Sequence, residues 1–256
     1  MNSKLIGEIT QINRYPVKSF AGETLNSVRL ESYGLLGDRS HAFVDHTKEG
    51  WSRYITARQI PEMLSYQAEL DLQVESELQV QSELQAADPG LSQVKILGPD
   101  GKRYQWNEQL LADIQKFTNK KISMERHSLM SEEQLAVDDG SILIITDQSL
   151  QKMEQLWGKP LDNRRFRANF ILSLYDGVHL NDLDFIGKRL MINHVELTVK
   201  SLCERCSMIT IDPDTLERDA TLLKKINENM NLTFGMYADV EKVGMVHRGD
   251  QVYLTE

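Results

Sequence analysis

The chain has 256 residues, enough for one large domain or two modest ones that each bury a core, and two small domains are the expectation. Hydrophobic residues make up 41% and charged residues 26%, and no run reaches the roughly 20 apolar residues of a membrane helix, so the sequence reads as that of a soluble protein without a membrane partner. A formal net charge of −9 argues against nucleic acid as a partner but not against a small anion, which a local cluster of arginine and lysine can hold whatever the global charge.

Met1 to Ile6 leads straight into alternating apolar positions with no secretory leader, so the folded domain is expected to begin at the first residues. Period-two apolar positions at 4–13 and 24–31 predict two strands. Between them Tyr15-Pro16-Val17-Lys18-Ser19-Phe20-Ala21-Gly22 predicts a loop carrying Lys18. A second break, Tyr33 to Arg39, precedes Ala42-Phe43-Val44 and puts Arg39 at a turn or strand start. From Leu70 to Leu84 alternation and a short duplication, Ser76-Glu77-Leu78-Gln79 and Ser82-Glu83-Leu84-Gln85, predict a half-exposed strand or hairpin without chemistry. Helical spacing follows over Asn107–Lys116.

The polar stretch from Arg126 to Asp139 is the expected domain boundary, giving segments 1–125 and 126–256. Beyond it, Ile142-Leu143-Ile144-Ile145 predicts a buried strand, and a helix capped by Thr146 or Asp147 runs through Trp157 to Gly158. Strands are predicted at Phe170–Leu174, Arg189–Ile192, Val195–Lys200 and Ser207–Ile211, a helix over Arg218–Met230, and a hairpin or final strand over Val246–Leu254. Many short strands with few helices predict a mixed α/β, strand-rich fold closed as a β-barrel rather than a doubly wound sheet.

The two cysteines, in Cys203-Glu204-Arg205-Cys206, are too close to staple so long a chain, which suits a reducing cytoplasm. A zinc knuckle would need two more ligands, and the six histidines are scattered. A thioredoxin-like pair should open a helix, whereas a strand is predicted here. One thiolate could instead bind a soft transition metal with Arg205 nearby, or both residues could be inert core.

Several segments, taken in order, resemble a known family. Tyr15-Pro16-Val17-Lys18-Ser19, Gly37-Asp38-Arg39 and Thr56-Ala57-Arg58-Gln59 are similar to the MOSC N-terminal domain. Phe166-Arg167-Ala168-Asn169, Cys203-x-Arg205-Cys206, Asp212-Pro213-Asp214-Thr215 and Gly249-Asp250-Gln251-Val252-Tyr253-Leu254 resemble the MOSC domain proper. Nearly the whole chain is covered, and it looks most like the mitochondrial amidoxime-reducing components without their membrane anchor.

The resemblance implies a MOSC β-barrel packed against a smaller strand-rich N-terminal domain. It also implies a molybdenum cofactor, Mo-molybdopterin, whose metal is held by dithiolene sulfurs, oxo or hydroxo groups and one cysteine, Cys206 by motif position. Lys18, Ser19 and Arg39 match residues that hold the pterin phosphate and its surroundings; Arg58, Arg167, Asn169 and Arg205 match further cofactor contacts. Asp138 matches a carboxylate close to the metal and, with Cys206, makes up the implied catalytic pair. Pyridoxal phosphate binding is a further family-level expectation. Glu204 and the segment Asp139-Gly140-Ser141 depart from the family pattern and leave the substrate range open.

The activity implied is two-electron reduction of an N-hydroxylated or similar N-oxygenated small molecule by oxygen-atom transfer to the metal. The chain has neither four cysteines for an iron–sulfur domain nor a strand–GxGxxG–helix for a dinucleotide, so an external electron donor of ferredoxin, flavoprotein or cytochrome b5-like type is expected. The alternatives are a cofactor or sulfur carrier that uses a persulfide on Cys206, resolved by Cys203, and a cofactor-free binding barrel.

Overall fold

The computed structural model describes residues 3–70, 94–127 and 140–255. Most of the alternating segment predicted from Leu70 to Leu84, and Asp138, lie outside them.

Strand β1 (Ser3–Arg14) ties the molecule together. Its first half pairs with β16 (Gln251–Thr255) and its second half with β11 (Phe170–Leu174), both antiparallel. Around the ring, β11 runs parallel to β10 (Ile142–Thr146), which leads through β14 (Thr233–Lys242), β13 (Val195–Glu204) and β12 (Arg189–Ile192) back to β16. The result is a closed barrel of seven strands with no free edge. Ile6, Ile12, Phe170, Leu197 and Val199, all fully buried, are among the residues that fill it.

The run Ile142-Leu143-Ile144-Ile145 is apolar throughout because both of its faces are covered. Ile142 and Ile144 point into the barrel, while Leu143 and Ile145 meet an outer layer that includes Met153, Leu222 and Ile226. Those three residues come from α2 (Asp147–Trp157) and α3 (Ala220–Met230). Thr146 caps α2 by accepting the Ser149 N–H at 3.0 Å, and Gly158 closes it in the left-handed conformation.

The first half of the chain forms its own smaller core. Strand β5 (His41–Val44) pairs with β9 (Ser123–Arg126), and β6 (Gln67–Leu70), β7 (Val94–Leu97) and β8 (Arg103–Gln105) form a sheet. Helix α1 (Glu108–Gln115), capped by Asn107, buries Leu110 and Ile114 in the same cluster as Phe20, Phe43 and Tyr66.

Two expected elements differ, and one alternative is decided. The strand predicted over 24–31 breaks at Asn26: β2 (Glu23–Leu25) pairs with β1, whereas β3 (Ser27–Glu31) lies between β15 (Gly244–His247) and β4 (Gly34–Leu35). Of the two readings of the closing segment the final strand holds, as β16, and the hairpin does not, because β15 pairs with β3 and β16 with β1 and β12. Ser207–Ile211 is not a strand: Ser207–Thr210 is a 3-10 turn, with the Thr210 hydroxyl donating to the Ser207 carbonyl at 2.7 Å and the Ile211 N–H to the Met208 carbonyl at 3.1 Å. Local bonds have replaced a ladder there, since Ile209 and Thr210 are buried side by side rather than in alternation.

Candidate functional site

Between the small core and the barrel opens a pocket of about 350 Å³. Loops of the first half supply Lys18, Ser19, Arg39, Trp51, Tyr54 and Arg58; the second half supplies Arg165, Arg167, Asn169, Glu204, Arg205, Cys206 and Tyr237. Six of the lining residues are cations and one, Glu204, is a carboxylate, in a chain whose formal charge is −9. Positive charge has been gathered at one place, which suits an anionic ligand.

The backbone presents these groups from unusual conformations. Ser19, Arg39 and Arg167 have φ of 70°, 51° and 56°, the left-handed region that side chains other than glycine seldom adopt. Surrounding bonds hold them there: the Lys18 N–H donates to the His41 carbonyl at 2.8 Å, the His41 N–H to the Pro16 carbonyl at 3.0 Å, and the Arg39 N–H to the Tyr15 carbonyl at 2.7 Å. Such strain persists where neighbouring structure over-determines it, and it clusters at ligand sites.

Beneath the pocket floor Asp38, Arg39 and Asn169 form one network. The Asp38 carboxylate accepts from the Tyr15 N–H at 2.7 Å, from the Asn169 amide at 3.1 Å and from the Arg39 guanidinium. The Asn169 carbonyl accepts the Leu143 N–H at 3.1 Å and its amide also donates to the Asn13 carbonyl at 3.2 Å. Both the Arg39 and the Arg167 guanidinium stand over the buried Tyr15 ring, at 5.1 and 4.1 Å from its centroid, a cation–π arrangement that keeps two like charges close. Burial raises the Tyr15 phenol above its ordinary pKa. Lys18 is buried, its ammonium 4.9 Å from the Trp51 ring and 5.4 Å from the Tyr54 ring.

At its end β13 alternates in burial: Cys203 and Arg205 are buried, Glu204 and Cys206 exposed. Period two therefore puts the Glu204 and Cys206 side chains on one side of an extended chain, about 7 Å apart along it. On the other side Arg205 donates to the Cys203 sulfur at 2.9 Å and to the Phe166 carbonyl at 3.0 Å, while its buried Nε meets no acceptor among the described residues. Arg205 thus serves the sulfur of Cys203 rather than that of Cys206. Both cysteines are free thiols, and Cys206 begins the 3-10 turn.

Of the expected site residues, Lys18, Ser19, Arg39, Arg58, Arg167, Asn169, Arg205 and Cys206 all line this pocket. Arg58 is exposed, its guanidinium 3.4 Å from the Thr56 hydroxyl. Sequence reasoning missed Trp51, Tyr54 and Arg165. Arg165 stood in the cluster Arg164-Arg165-x-Arg167, but only folding separates its members: Arg164 turns out to Asp162 and Asp214, whereas Arg165 goes inward, donating to Asp212 at 2.5 Å. Nothing in the sequence pointed to Trp51 or Tyr54. Among the described residues no three His, Cys, Asp or Glu side chains gather as a metal-binding group, which leaves the zinc knuckle without a ligand set there.

The family model of the MOSC N-terminal beta barrel domain matches residues 6–124, and that of the MOSC domain matches residues 131–253. The chain belongs to the MOSC family. Mitochondrial amidoxime reducing component 2 of Macaca fascicularis is 28% identical to it over 97% of this chain and 83% of its own length, and the Homo sapiens counterpart is 27% identical over the same shares. The molybdenum cofactor sulfurase of Drosophila ananassae is 32% identical over 45% of this chain, which is 15% of that protein. The solved YuaD protein from Bacillus subtilis shares the fold of this MOSC chain, with a TM-score of 0.51 over 99% of this chain and 97% of that one at 12% identity.

Proposed function

We propose that this MOSC protein is an oxidoreductase that holds a molybdenum cofactor in the cationic pocket and reduces N-hydroxylated or other N-oxygenated small molecules. The relatives named for amidoxime reduction and for molybdenum cofactor sulfuration support a cofactor-related function of oxidoreductase type. The reaction itself is our reading. One juxtaposition carries it: an exposed thiol, Cys206, opens onto the same pocket as six cations.

The residues fit the group in kind. A thiolate is a soft ligand for a transition metal, and guanidinium and ammonium groups pair with phosphate. Lys18, Ser19, Arg39 and Arg167 would hold the phosphate, with Arg58 at the rim. Asn169, whose amide and carbonyl are already engaged, would act by fixing Asp38 and Arg39. Trp51, Tyr54, Phe166 and Tyr237 would restrict water. The bound cofactor would supply the two-electron chemistry of removing oxygen from nitrogen. Cys206 would remain a permanent ligand rather than a nucleophile, and Asp138 is kept as the proposed carboxylate of the site.

Electrons would come from an external donor of ferredoxin, flavoprotein or cytochrome b5-like type. Two free thiols suit a reducing compartment, for which we propose the cytoplasm. No helix among the described residues is long and apolar enough to cross a membrane.

The sulfurase relative favours a second reading, a sulfur or cofactor carrier with a persulfide on Cys206. Cys203 is buried on the other side of the chain, so such a persulfide would pass to an external acceptor rather than be resolved by Cys203. Elemental molybdenum per chain, in protein from a molybdopterin-competent host, tests the proposal. Stoichiometric metal that disappears in Cys206→Ala supports it, and retention of metal in that variant defeats it. Metallated protein that fails to turn over a hydroxylamine with a chemical electron donor would move the assignment to the carrier. Pyridoxal phosphate, the other phosphate-bearing occupant considered, would announce itself by visible absorption in the purified protein.

A further inference from the structure

Glu204 is the pocket's single carboxylate among the lining residues. Among the described residues no hydrogen bond or ion pair engages its carboxylate, although six cations share the pocket. Two of those cations have carboxylates of their own, Arg39 with Asp38 and Arg165 with Asp212. The pairing of β13 with β14 shifts register between Leu202 and Glu204, a bulge that re-aims the side chains at the strand end. Beyond the bulge, burial alternation sets the Glu204 carboxylate on the same side as the Cys206 thiol, about 7 Å along the chain. Met208 and Tyr237 also line the pocket.

We propose that Glu204 is the specificity-determining residue of this site and selects ligands that carry a positive charge on a planar apolar body. This rests on the pocket being the substrate site, and it adds to that reading the charge of the substrate. The cations serve an anionic occupant of the pocket. The carboxylate, without a partner among the described residues, takes the cationic end of the second molecule that enters. A ligand presenting a carboxylate of its own there is repelled.

Benzamidine, a planar cation, and benzamide, its neutral counterpart, are the probes. Protein from a molybdopterin-competent host, as wild type, Glu204→Gln and Glu204→Lys, is titrated with each by calorimetry, and its molybdenum content and hydroxylamine turnover are measured on the same preparations. The wild type is expected to bind benzamidine more tightly than benzamide. Glu204→Gln is expected to weaken benzamidine about fivefold, the upper range for a partly exposed ion pair, and to leave benzamide within about twofold. Glu204→Lys is expected to weaken benzamidine further, and added salt to narrow the wild-type preference. Equal binding of the two probes by the wild type, failure to bind either, or equal weakening of both in Glu204→Gln would overturn the assignment. Metallated, active protein showing any of those results keeps the reductase and loses the role of Glu204. A benzamidine preference that depends on Glu204 in protein without molybdenum or turnover keeps the selectivity and loses the reductase.

Discussion

Asn169 shows how one side chain can serve stability and a ligand site together. By resemblance it is a cofactor contact, yet its amide and carbonyl join Asn13, Asp38 and Leu143, which belong to both halves of the chain. Asn169→Ala would leave the buried Leu143 N–H and Asn13 carbonyl without these partners and strip one donor from Asp38. A loss of about 3 kcal/mol is expected, read as a lower denaturant midpoint at unchanged slope. Unchanged stability would mean that the network is idle. His41 carries a pH dependence: burial lowers its pKa from 6.5 to about 3, helped by the nearby Arg126 and His127. Below about pH 6.5 the unfolded chain binds a proton that the folded imidazole refuses. Stability from this group is therefore complete above pH 6.5 and falls by about 1.4 kcal/mol per pH unit as the pH drops toward 3. Chemical denaturation at pH 7 and pH 5 should show that loss in the wild type, and His41→Asn should show about 2 kcal/mol less of it.

The elements legible in the sequence are those whose stabilisation is local. Helix α2 announced itself at both ends, through Thr146 and Gly158, and the structure keeps both signals. Gly158 has φ of 72° with nothing within 4 Å of an added Cβ, so Gly158→Ala should cost about 1 kcal/mol through backbone conformation alone and leave pocket ligand binding unchanged. A larger loss in thermal melts would reveal packing that the open surroundings do not contain. Helices α1 and α3 were readable from apolar spacing, and the structure adds Asn107 and Asp219 as their caps, with α3 starting at Ala220 rather than at Arg218. Ser207–Ile211 misled because hydroxyl and β-branched residues favour a strand by composition, whereas hydrogen bonds within the turn decide its conformation.

Across the whole molecule, β1 is the element on which barrel closure depends, since it alone joins β16 to β11. A Cβ at Gly7 would lie 2.0 Å from the Ser173 carbonyl oxygen, so Gly7→Ala must push the β1 and β11 backbones apart. We expect about 3 kcal/mol of destabilisation, roughly three times that of Gly158→Ala, with loss of amide-exchange protection in β11. Equal effects of the two substitutions would show that the strands can separate at that point without cost. The division into 1–125 and 126–256 stays a proposal about how the sequence is organised; hydrogen bonding crosses it through β1 and β3.

The sequence by itself determined the strand-rich character, helices α1, α2 and α3 and the residues rich in chemistry, because periodicity, caps and ordered motifs are written in neighbouring positions. It also brought forward Cys206, Lys18, Arg39 and Arg167 as a set. Only the tertiary structure decided that these four meet in one pocket, that Arg205 turns to Cys203, that Arg165 faces inward while Arg164 does not, and that the Glu204 carboxylate has no partner among the described residues. Those outcomes depend on strand register and on loops packed across more than a hundred residues of chain, contacts whose free energy belongs to pairs of distant residues and leaves no local trace.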